Sequence, residues 1–307
     1  MKNILVIHYS QSGQLTEILK NIVSPLEQDV SIQVDFHNIK MVNDFPFPWT
    51  KDKFMGVFPE TFLQEPAEIY PPDSEILNKT YDLIILGYQV WYLSPSIPIN
   101  SFLKSIEAKQ LLANTPVITV SGSRNMWIMA QEKIKQELKT LQANLVGNIA
   151  LVDRHINHIS VITIVQWMFS GKKERFLNIF PKPGVSQKDI DEATKFGEVI
   201  LNHINSCDYS TLQEGLLKKD AVKIKPFLVV TDKRGNVIFS KWAKFLKSKG
   251  EINDDKRKIW VKIFTKYLLI AIWVIAPIVF ILFLLTYLPS YRRIKREKVY
   301  YESVALK

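Results

Sequence analysis

The sequence has a single cysteine, Cys207, among 307 residues. One cysteine excludes an internal disulfide framework and fits a reducing compartment, and nothing around this thiol indicates catalysis. The N-terminus offers only the short apolar run Ile4–Ile7 and no small-residue cleavage site, so it does not resemble a signal peptide. We therefore expect a cytoplasmic globular part, for which the 47% hydrophobic residues provide a core.

Acidic residues are fewer than basic ones, 30 against 40, which leaves a net charge of +10. Many of the basic residues flank one apolar segment: Lys256, Arg257, Lys258, Lys262 and Lys266 precede it, and Arg292, Arg293, Lys295, Arg296 and Lys298 follow it. Charges that bracket an apolar segment in this way predict contact with anionic lipid head groups rather than with nucleic acid.

The apolar segment is predicted to cover residues 259–291, with a core at 267–288 that carries no charged side chain. A helix of that core length rises about 33 Å, close to the ~30 Å hydrocarbon thickness of a bilayer. Pro277 lies near its midpoint, and the basic tail at 292–307 leaves positive charge on both sides. A transmembrane helix and a kinked, membrane-dipping helix that returns to the same face therefore both stay open.

Strand and helix patterns alternate through residues 1–207. Continuous or alternating apolar runs predict strands at 3–8, 31–37, 81–87, 116–121 and 145–152, and helical spacing predicts helices at 14–26, 126–141 and 187–204. This alternation is typical of an α/β domain with a doubly wound, five-stranded parallel sheet.

Three regions depart from the alternation. Residues 40–79 are rich in proline and aromatic residues and predict an ordered loop near the site, and 154–185 predict a lid or a membrane-facing helix. Residues 208–258 are expected to form a small basic appendage. It is predicted to contain a hairpin from Pro226–Val230 to Val237–Ser240, with its turn at Asp232–Asn236, and then a basic helix at Lys241–Lys249.

The first candidate site is the segment Tyr9-Ser10-Gln11-Ser12-Gly13-Gln14-Leu15-Thr16, which follows the first strand and opens the first helix. Hydroxyls and backbone N–H groups at a helix N-terminus form an anion cradle. The segment has neither a Walker lysine nor a G-x-G-x-x-G pattern, so it suits a single phosphate ester rather than a triphosphate or dinucleotide. An ordinary N-cap turn is the alternative interpretation.

This segment resembles the phosphate loop of flavodoxins through Ser10, Ser12 and Gly13. Leu15 stands where that pattern has threonine, which leaves open whether Thr16 takes its place. The resemblance implies a flavodoxin-like fold and a bound flavin mononucleotide (FMN). The residues it implies for the phosphate are Ser10, Gln11, Ser12, Gly13, Gln14 and Leu15.

Two further loops resemble the flavin-binding loops of the same family. After the third strand come Gln89, Val90, Trp91 and Tyr92, and the resemblance implies that Trp91 and Tyr92 stack on the isoalloxazine ring. After the fourth strand come Ser121, Gly122, Arg124 and Asn125, which the resemblance places at the pyrimidine edge of the flavin. Arg124 would there stabilise negative charge on the ring or on an enolate.

The phrases YSQSGQLTEI, WYLSPSIP and SRNMWIMAQEKI, together with the C-terminal apolar segment, resemble a narrower bacterial family. That family comprises the dialkylresorcinol condensing enzymes of aryl-polyene and flexirubin-type pigment pathways. The resemblance implies an enzyme at the bacterial inner membrane that aromatises a lipophilic 2,5-dialkylcyclohexane-1,3-dione to a resorcinol. It also implies a ketosynthase and an acyl carrier as partners.

Aromatisation removes two electrons and two protons, which a flavin and a general base would accept. We expect His155, within Asp153-Arg154-His155-Ile156-Asn157-His158, to be this base, with His158 or Tyr92 as alternatives. A polar turn without chemistry is the competing interpretation of this stretch. The five histidines show no spacing typical of metal ligands, so no metal site is predicted.

Two other functions stay open. One is a membrane-tethered electron-transfer flavodoxin or quinone reductase, although such flavodoxins are usually small and acidic. The other is a flavin-free scaffold that docks the ketosynthase, which the leucine at position 15 keeps possible.

Overall fold

A computed structural model describes residues 1–306, so Lys307, the last residue of the predicted basic tail, lies outside the described residues. The strands are β1 Lys2–His8, β2 Ile32–Asn38, β3 Leu83–Tyr88, β4 Val90–Trp91, β5 Ser94–Pro95, β6 Pro116–Ser123 and β7 Asn144–Val152. The first seven helices are α1 Gln14–Glu27, α2 Lys51–Gly56, α3 Phe58–Leu63, α4 Ser74–Leu77, α5 Ile97–Leu103, α6 Ile106–Leu112 and α7 Ile128–Thr140. The remaining ones are α8 Asn157–Ser170, α9 Gln187–Asp191, α10 Thr194–Ser206, α11 Leu212–Lys218, α12 Pro226–Lys247, α13 Asp255–Ile270 and α14 Ala276–Glu302.

The main sheet has the strand order β2-β1-β3-β6-β7, with every neighbouring pair parallel. Counting only these five strands, the order is 2-1-3-4-5, which defines the flavodoxin-like doubly wound fold. Separate apolar clusters cover its two faces, one built on α1 and α10 and the other on α5 to α7. The predicted fold class is therefore confirmed, and the carboxyl ends of β1, β3 and β6 meet at one edge of the sheet.

The α1 and α10 helices cross at very short distance because Gly197 has no side chain. A Cβ atom at Gly197 would lie 2.0 Å from the backbone oxygen of Ile22. Ile22 and Ile200 are fully buried beside this crossing. The crossing holds α1, and therefore the loop before it, against the sheet.

The proline- and aromatic-rich insertion at 40–79 contains the short helices α2, α3 and α4 in addition to loops. The first two share an apolar cluster with α12 and α13, in which the ring of Phe58 stacks on Phe264 at 4.3 Å. Beneath it lies a buried ion pair, since Arg257 Nη1 and Nη2 lie 2.7 and 2.6 Å from the two carboxylate oxygens of Glu60. The insertion and the C-terminal helices thus form one packing unit.

The predicted hairpin between Pro226 and Ser240 is wrong, because this stretch belongs to the single helix α12. The predicted basic helix at Lys241–Lys249 is largely the last part of the same helix. Asp232 explains why the turn-like sequence stays helical: its Oδ2 accepts hydrogen bonds from the backbone N–H groups of Ile128 and Met129, at 2.9 and 3.3 Å. This carboxylate caps the N-terminus of α7 and needs α12 to be helical at that point.

The C-terminal helix runs from Asp255 to Glu302 through a π-helical stretch at Ala271–Ile275. By length and composition it is able to cross a membrane, and none of its most apolar window is buried. Arg257 was predicted to face lipid head groups as part of the basic flank, and this is wrong, because its side chain is fully buried against Glu60.

Candidate functional site

The loop between β1 and α1 leads directly into the N-terminus of α1. Gly13 is the N-cap of α1 with φ +80°, a conformation that favours glycine, and a Cβ there would meet no atom within 4 Å. Ser10 Oγ is buried and makes no hydrogen bond within the described residues. Leu15 is a core residue, only 2% exposed, and Thr16 Oγ1 is 2.9 Å from His8 Nε2. The Thr16 hydroxyl is therefore hydrogen-bonded to His8.

Gln11 attaches the insertion at 40–79 to this loop through hydrogen bonds of its side chain. Its Nε2 donates to the carbonyl oxygen of Pro46 at 2.9 Å, and its Oε1 accepts from Trp49 Nε1 at 2.9 Å. Gln14 similarly joins the end of the 154–185 segment, because its Oε1 accepts from the Val185 N–H at 3.1 Å. The first loop therefore contacts both insertions.

The loop after β3 forms a tight hairpin of β4 and β5, whose two central residues Tyr92 and Leu93 have φ values of 51° and 60°. Trp91 is 8% exposed and lies edge-on to Tyr9, Phe45 and Trp49, with ring centroids 5.2 to 6.3 Å apart. Trp91 therefore belongs to an aromatic cluster that joins the first loop, the second loop and the insertion.

Tyr92 lies elsewhere. Its hydroxyl donates to the Phe54 carbonyl oxygen at 2.6 Å, and its ring packs on Phe54 and Phe58. Burial raises the pKa of Tyr92 well above its ordinary value. In this position the residue joins the insertion to the second loop, and neither the predicted stacking on flavin nor a role as base is visible in its contacts.

The remaining predicted residues of the second loop flank Trp91. Gln89 Oε1 is buried and has no hydrogen-bond partner within residues 1–306, while its backbone oxygen accepts from the Ser96 N–H at 2.9 Å. Val90 pairs with Pro95 in the hairpin. The polar end of Gln89 is therefore available to a ligand at the edge of the sheet.

The loop after β6 is tied to the start of α8. Arg124 Nη1 donates to Asn157 Oδ1 at 2.7 Å, and Asn125 Nδ2 donates to the same oxygen at 2.9 Å. Burial lowers the pKa of Arg124 to about 10, so it still carries its charge at neutral pH. Ser121 is fully buried within the sheet, and Gly122 packs closely on α1, where a Cβ would lie 3.0 Å from Ile18 Cδ1.

His155 is an exposed residue directly after β7, and its backbone N–H donates to Asp153 Oδ1 at 2.9 Å. Asp153 is buried, and its other oxygen accepts from Ser160 Oγ at 2.8 Å. Asn157, to which Arg124 donates a hydrogen bond, lies two positions after His155. His158 turns to the C-terminal helix instead, with Nε2 3.2 Å from the Ile272 carbonyl oxygen.

Each of the three loops contains buried polar atoms that lack hydrogen-bond partners in the described part of the chain. Among them are Ser10 Oγ, Gln89 Oε1, Ser123 Oγ and Asn125 Oδ1. Such atoms are costly in a folded protein unless a ligand or water satisfies them. The arrangement therefore provides hydrogen-bonding groups for a polar ligand that lies across the carboxyl ends of β1, β3 and β6.

A cavity of about 270 Å³ opens beside Asn125. Its wall combines apolar side chains of Trp127, Ile128 and Leu228 with the basic residues Arg154 and Lys223. Leu228 follows Phe227, whose ring lies 4.8 Å from that of Phe280 in the C-terminal helix. The cavity thus lies between the third loop and the start of α12, which also contacts the apolar helix.

Sequence reasoning missed several residues that build the site. The sequence predicts Asn157 only as part of a polar run and Trp49 only as part of a loop, because their partners are distant in the sequence. Asp232 is predicted as a turn residue, yet it is fully buried and burial raises its pKa to about 7. Among the described residues, no three His, Cys, Asp or Glu side chains are placed to hold a metal ion.

No protein-family model matches this chain, and no curated protein matches it either. Solved structures with a similar fold include a flavoprotein from Lactobacillus acidophilus in complex with FMN, with 20% identity, a TM-score of 0.39 and coverage of 49% of this chain and 93% of that one. A putative flavoprotein from Bacteroides eggerthii shows 18% identity and a TM-score of 0.39, over 56% of this chain and 100% of that one. Flavodoxin 1 from Bacillus cereus shows 14% identity and a TM-score of 0.37, over 66% of this chain and 99% of that one.

Proposed function

We propose that this protein binds FMN across the three loops and acts as a flavin-dependent oxidoreductase on a lipophilic substrate. One observation carries the proposal: buried polar atoms of Ser10, Gln89, Ser123 and Asn125 lack partners at the edge where a flavodoxin-like sheet binds its ligand. The flavoprotein and flavodoxin among the structures of similar fold are consistent with this choice of ligand.

The residues present fit a flavin phosphate at the first loop. Gly13 leaves the start of α1 open to close approach, and the first N–H groups of α1 have no partner inside the helix. Ser10 Oγ supplies a hydroxyl beside them. Leu15 is a core residue and carries no hydroxyl, so Ser10, Ser12 and the backbone N–H groups would bind the phosphate.

The substrate that we propose is a 2,5-dialkylcyclohexane-1,3-dione, which the protein would aromatise to a dialkylresorcinol. When bound, FMN supplies the oxidant that this loss of two electrons requires. The dione is acidic, and the charge on Arg124 would hold it as an enolate next to Asn125. The exposed imidazole of His155 would take the ring proton.

The apolar C-terminal helix supports a lipophilic substrate, because two alkyl chains partition into a bilayer. Attachment of the protein to the membrane would bring the site to that substrate. A ketosynthase that makes the dione, with its acyl carrier, is the partner that this chemistry requires. We propose that the protein acts at the cytoplasmic face of a bacterial inner membrane.

The flavin proposal is tested by purification of the full chain in detergent, followed by release and identification of any bound chromophore. We expect a yellow protein that releases FMN. Ser10→Ala should weaken FMN binding roughly ten- to hundredfold, as expected when a hydrogen bond to a charged group is lost. The matched control is Ser31→Ala, which removes a hydroxyl from an exposed turn before β2. A colourless protein that does not bind added FMN would refute the proposal.

The substrate proposal is tested separately with the flavin-loaded protein. A synthetic 2,5-dialkylcyclohexane-1,3-dione is added with oxygen as final acceptor, and the resorcinol is measured by mass spectrometry. His155→Ala should abolish turnover and leave FMN bound, whereas Arg124→Met should mainly raise KM for the dione. Flavin binding without any resorcinol would overturn the substrate and favour the electron-transfer alternative, which measured reduction potentials would then examine.

A further inference from the structure

The middle of the C-terminal helix exposes an unusually large apolar surface. Leu269, Ile270, Val274, Ile278, Ile281, Leu282, Leu284, Leu285 and Leu288 are each more than half exposed. Contiguous apolar surface of this extent is rare on a protein that meets only water, and it marks an interaction surface. What covers it must be apolar along the whole segment.

Both flanks of this segment contact the same globular part of the protein. Before it, Phe264 stacks on Phe58 of the insertion. After it, Tyr301 is 8% exposed and packs in a cluster with Trp127 and Val229. A helix that crossed a bilayer would place these flanks about 30 Å apart on opposite sides of the membrane. The two contacts are incompatible with such a crossing.

Distances along the helices also require the C-terminal helix to bend. The rings of Trp242 and Phe264 lie 5.3 Å apart, and Lys233 Nζ lies 2.8 Å from a Glu297 carboxylate oxygen. A straight helix from Phe264 to Glu297 would be about 50 Å long, whereas Trp242 and Lys233 lie about 14 Å apart along α12. Fully extended side chains at both contacts add less than about 30 Å, so a straight helix does not satisfy both.

Three features between Phe264 and Glu297 commonly bend a helix. The π-helical stretch Ala271–Ile275 interrupts the regular hydrogen bonds, Pro277 lies two positions after its end, and Pro289 lies inside α14. On the inner side of the bend, His158 contacts the Ile272 carbonyl oxygen, and Phe227 packs against Phe283. The outer side carries the exposed apolar side chains, so the bent helix has one face for the protein and one for its surroundings.

We propose that the C-terminal helix dips into one leaflet of an anionic membrane and returns to the same side without crossing. Acyl chains would cover its outer apolar side. Exposed basic residues at both flanks, Lys262 and Lys266 before the segment and Arg292, Arg293 and Lys295 after it, complement anionic head groups at a single membrane surface. This topology is independent of whether the protein binds flavin.

The first test maps the side of the membrane on which each flank lies. Cys207→Ser removes the single native thiol, and Lys262→Cys or Lys295→Cys then places one thiol before or after the apolar segment. Lys241→Cys, on an exposed position of α12, reports the side of the globular part. A membrane-impermeant maleimide should label all three variants in inside-out vesicles and none in right-side-out vesicles. Reaction of Lys295→Cys from the side opposite to Lys262→Cys would overturn the proposal.

The second test asks whether the contact between α12 and α14 exists in the membrane. In the cysteine-free background, Lys233→Cys with Glu297→Cys should be joined by a short bis-maleimide, because these side chains touch. Lys241→Cys with Glu297→Cys is the matched control and should react much less. Efficient cross-linking supports the returning helix, whereas no cross-link above the control would refute it.

Discussion

The buried ion pair between Glu60 and Arg257 allows a sharp test of how the insertion is attached. Arg257 is fully buried, and its guanidinium also donates to the Gly56 and Gly250 carbonyl oxygens, at 2.8 and 3.2 Å. Burial alone would raise the pKa of Glu60, but the hydrogen bonds and charge of Arg257 outweigh it and lower that pKa. Glu60 is therefore ionised and neutralises a charge that has no access to water.

Glu60→Gln keeps the side-chain shape and removes its charge. The guanidinium of Arg257 then stays buried without compensation, which costs about 3 to 5 kcal/mol. In a thermal melt of the full chain in detergent, this loss should lower Tm by about 6 °C or more. Asp255→Asn is the matched control, because the Asp255–Lys258 pair is largely exposed and worth at most about 1 kcal/mol.

A double variant separates the pair from its surroundings. Glu60→Leu with Arg257→Met removes both charges and keeps comparable apolar volume, so Tm should recover most of the loss seen for Glu60→Gln. An unchanged Tm for Glu60→Gln would refute the reasoning, since it would mean that Arg257 finds water or another anion. A double variant as unstable as Glu60→Gln would show that shape rather than charge decides.

Three further predictions concern stability, each measured by thermal unfolding in detergent. Gly197→Ala should cost about 3 kcal/mol or more, because its Cβ would overlap the Ile22 backbone, whereas Gly56→Ala, with its nearest neighbour at 3.8 Å, should be neutral or slightly stabilising; equal effects would contradict this. His8 is buried, which lowers its pKa to about 4, so the unfolded chain binds a proton first as the pH falls. Stability should therefore drop by up to about 3 kcal/mol between pH 6.5 and 4, and His8→Gln should flatten that dependence; an unchanged pH profile would contradict it. Gln142 follows α7 with φ 58°, so Gln142→Gly should stabilise by up to about 1 kcal/mol, and a lower Tm would argue against strain there.

The parallel sheet was predictable because the residues that define each strand are adjacent in the sequence. Runs such as the one in β3 are apolar on both faces. The helical spacing of apolar residues in α1 is visible in the sequence without reference to the elements that pack on it. The β4–β5 hairpin was not predictable in the same way. Tyr92 and Leu93 take positive φ values that glycine or asparagine usually provides, so the sequence carries no signal for that turn.

Long-range partners account for the other differences. Asp232 looks like a turn residue until the amides of Ile128 and Met129, about 100 positions earlier, are placed against it. From the sequence, Arg257 is one of several basic residues beside the apolar segment. Its buried partner Glu60 is 197 positions away, so the ion pair is visible only in the fold. The candidate loops lie at the carboxyl ends of β1, β3 and β6, although Ser121 and Gly122 still belong to β6, whereas the assignment of ligand and substrate stays a prediction.

The shared cluster of insertion and C-terminal helices has a consequence for synthesis of the protein. On the ribosome, α2 and α3 appear early, but Arg257 and Phe264 follow roughly 200 residues later. At usual elongation rates the nascent chain would wait roughly 10 to 40 s with Phe58 and Phe62 uncovered. The C-terminal helix would thus both enter the bilayer and cover these rings, so insertion into the membrane and completion of this cluster would coincide.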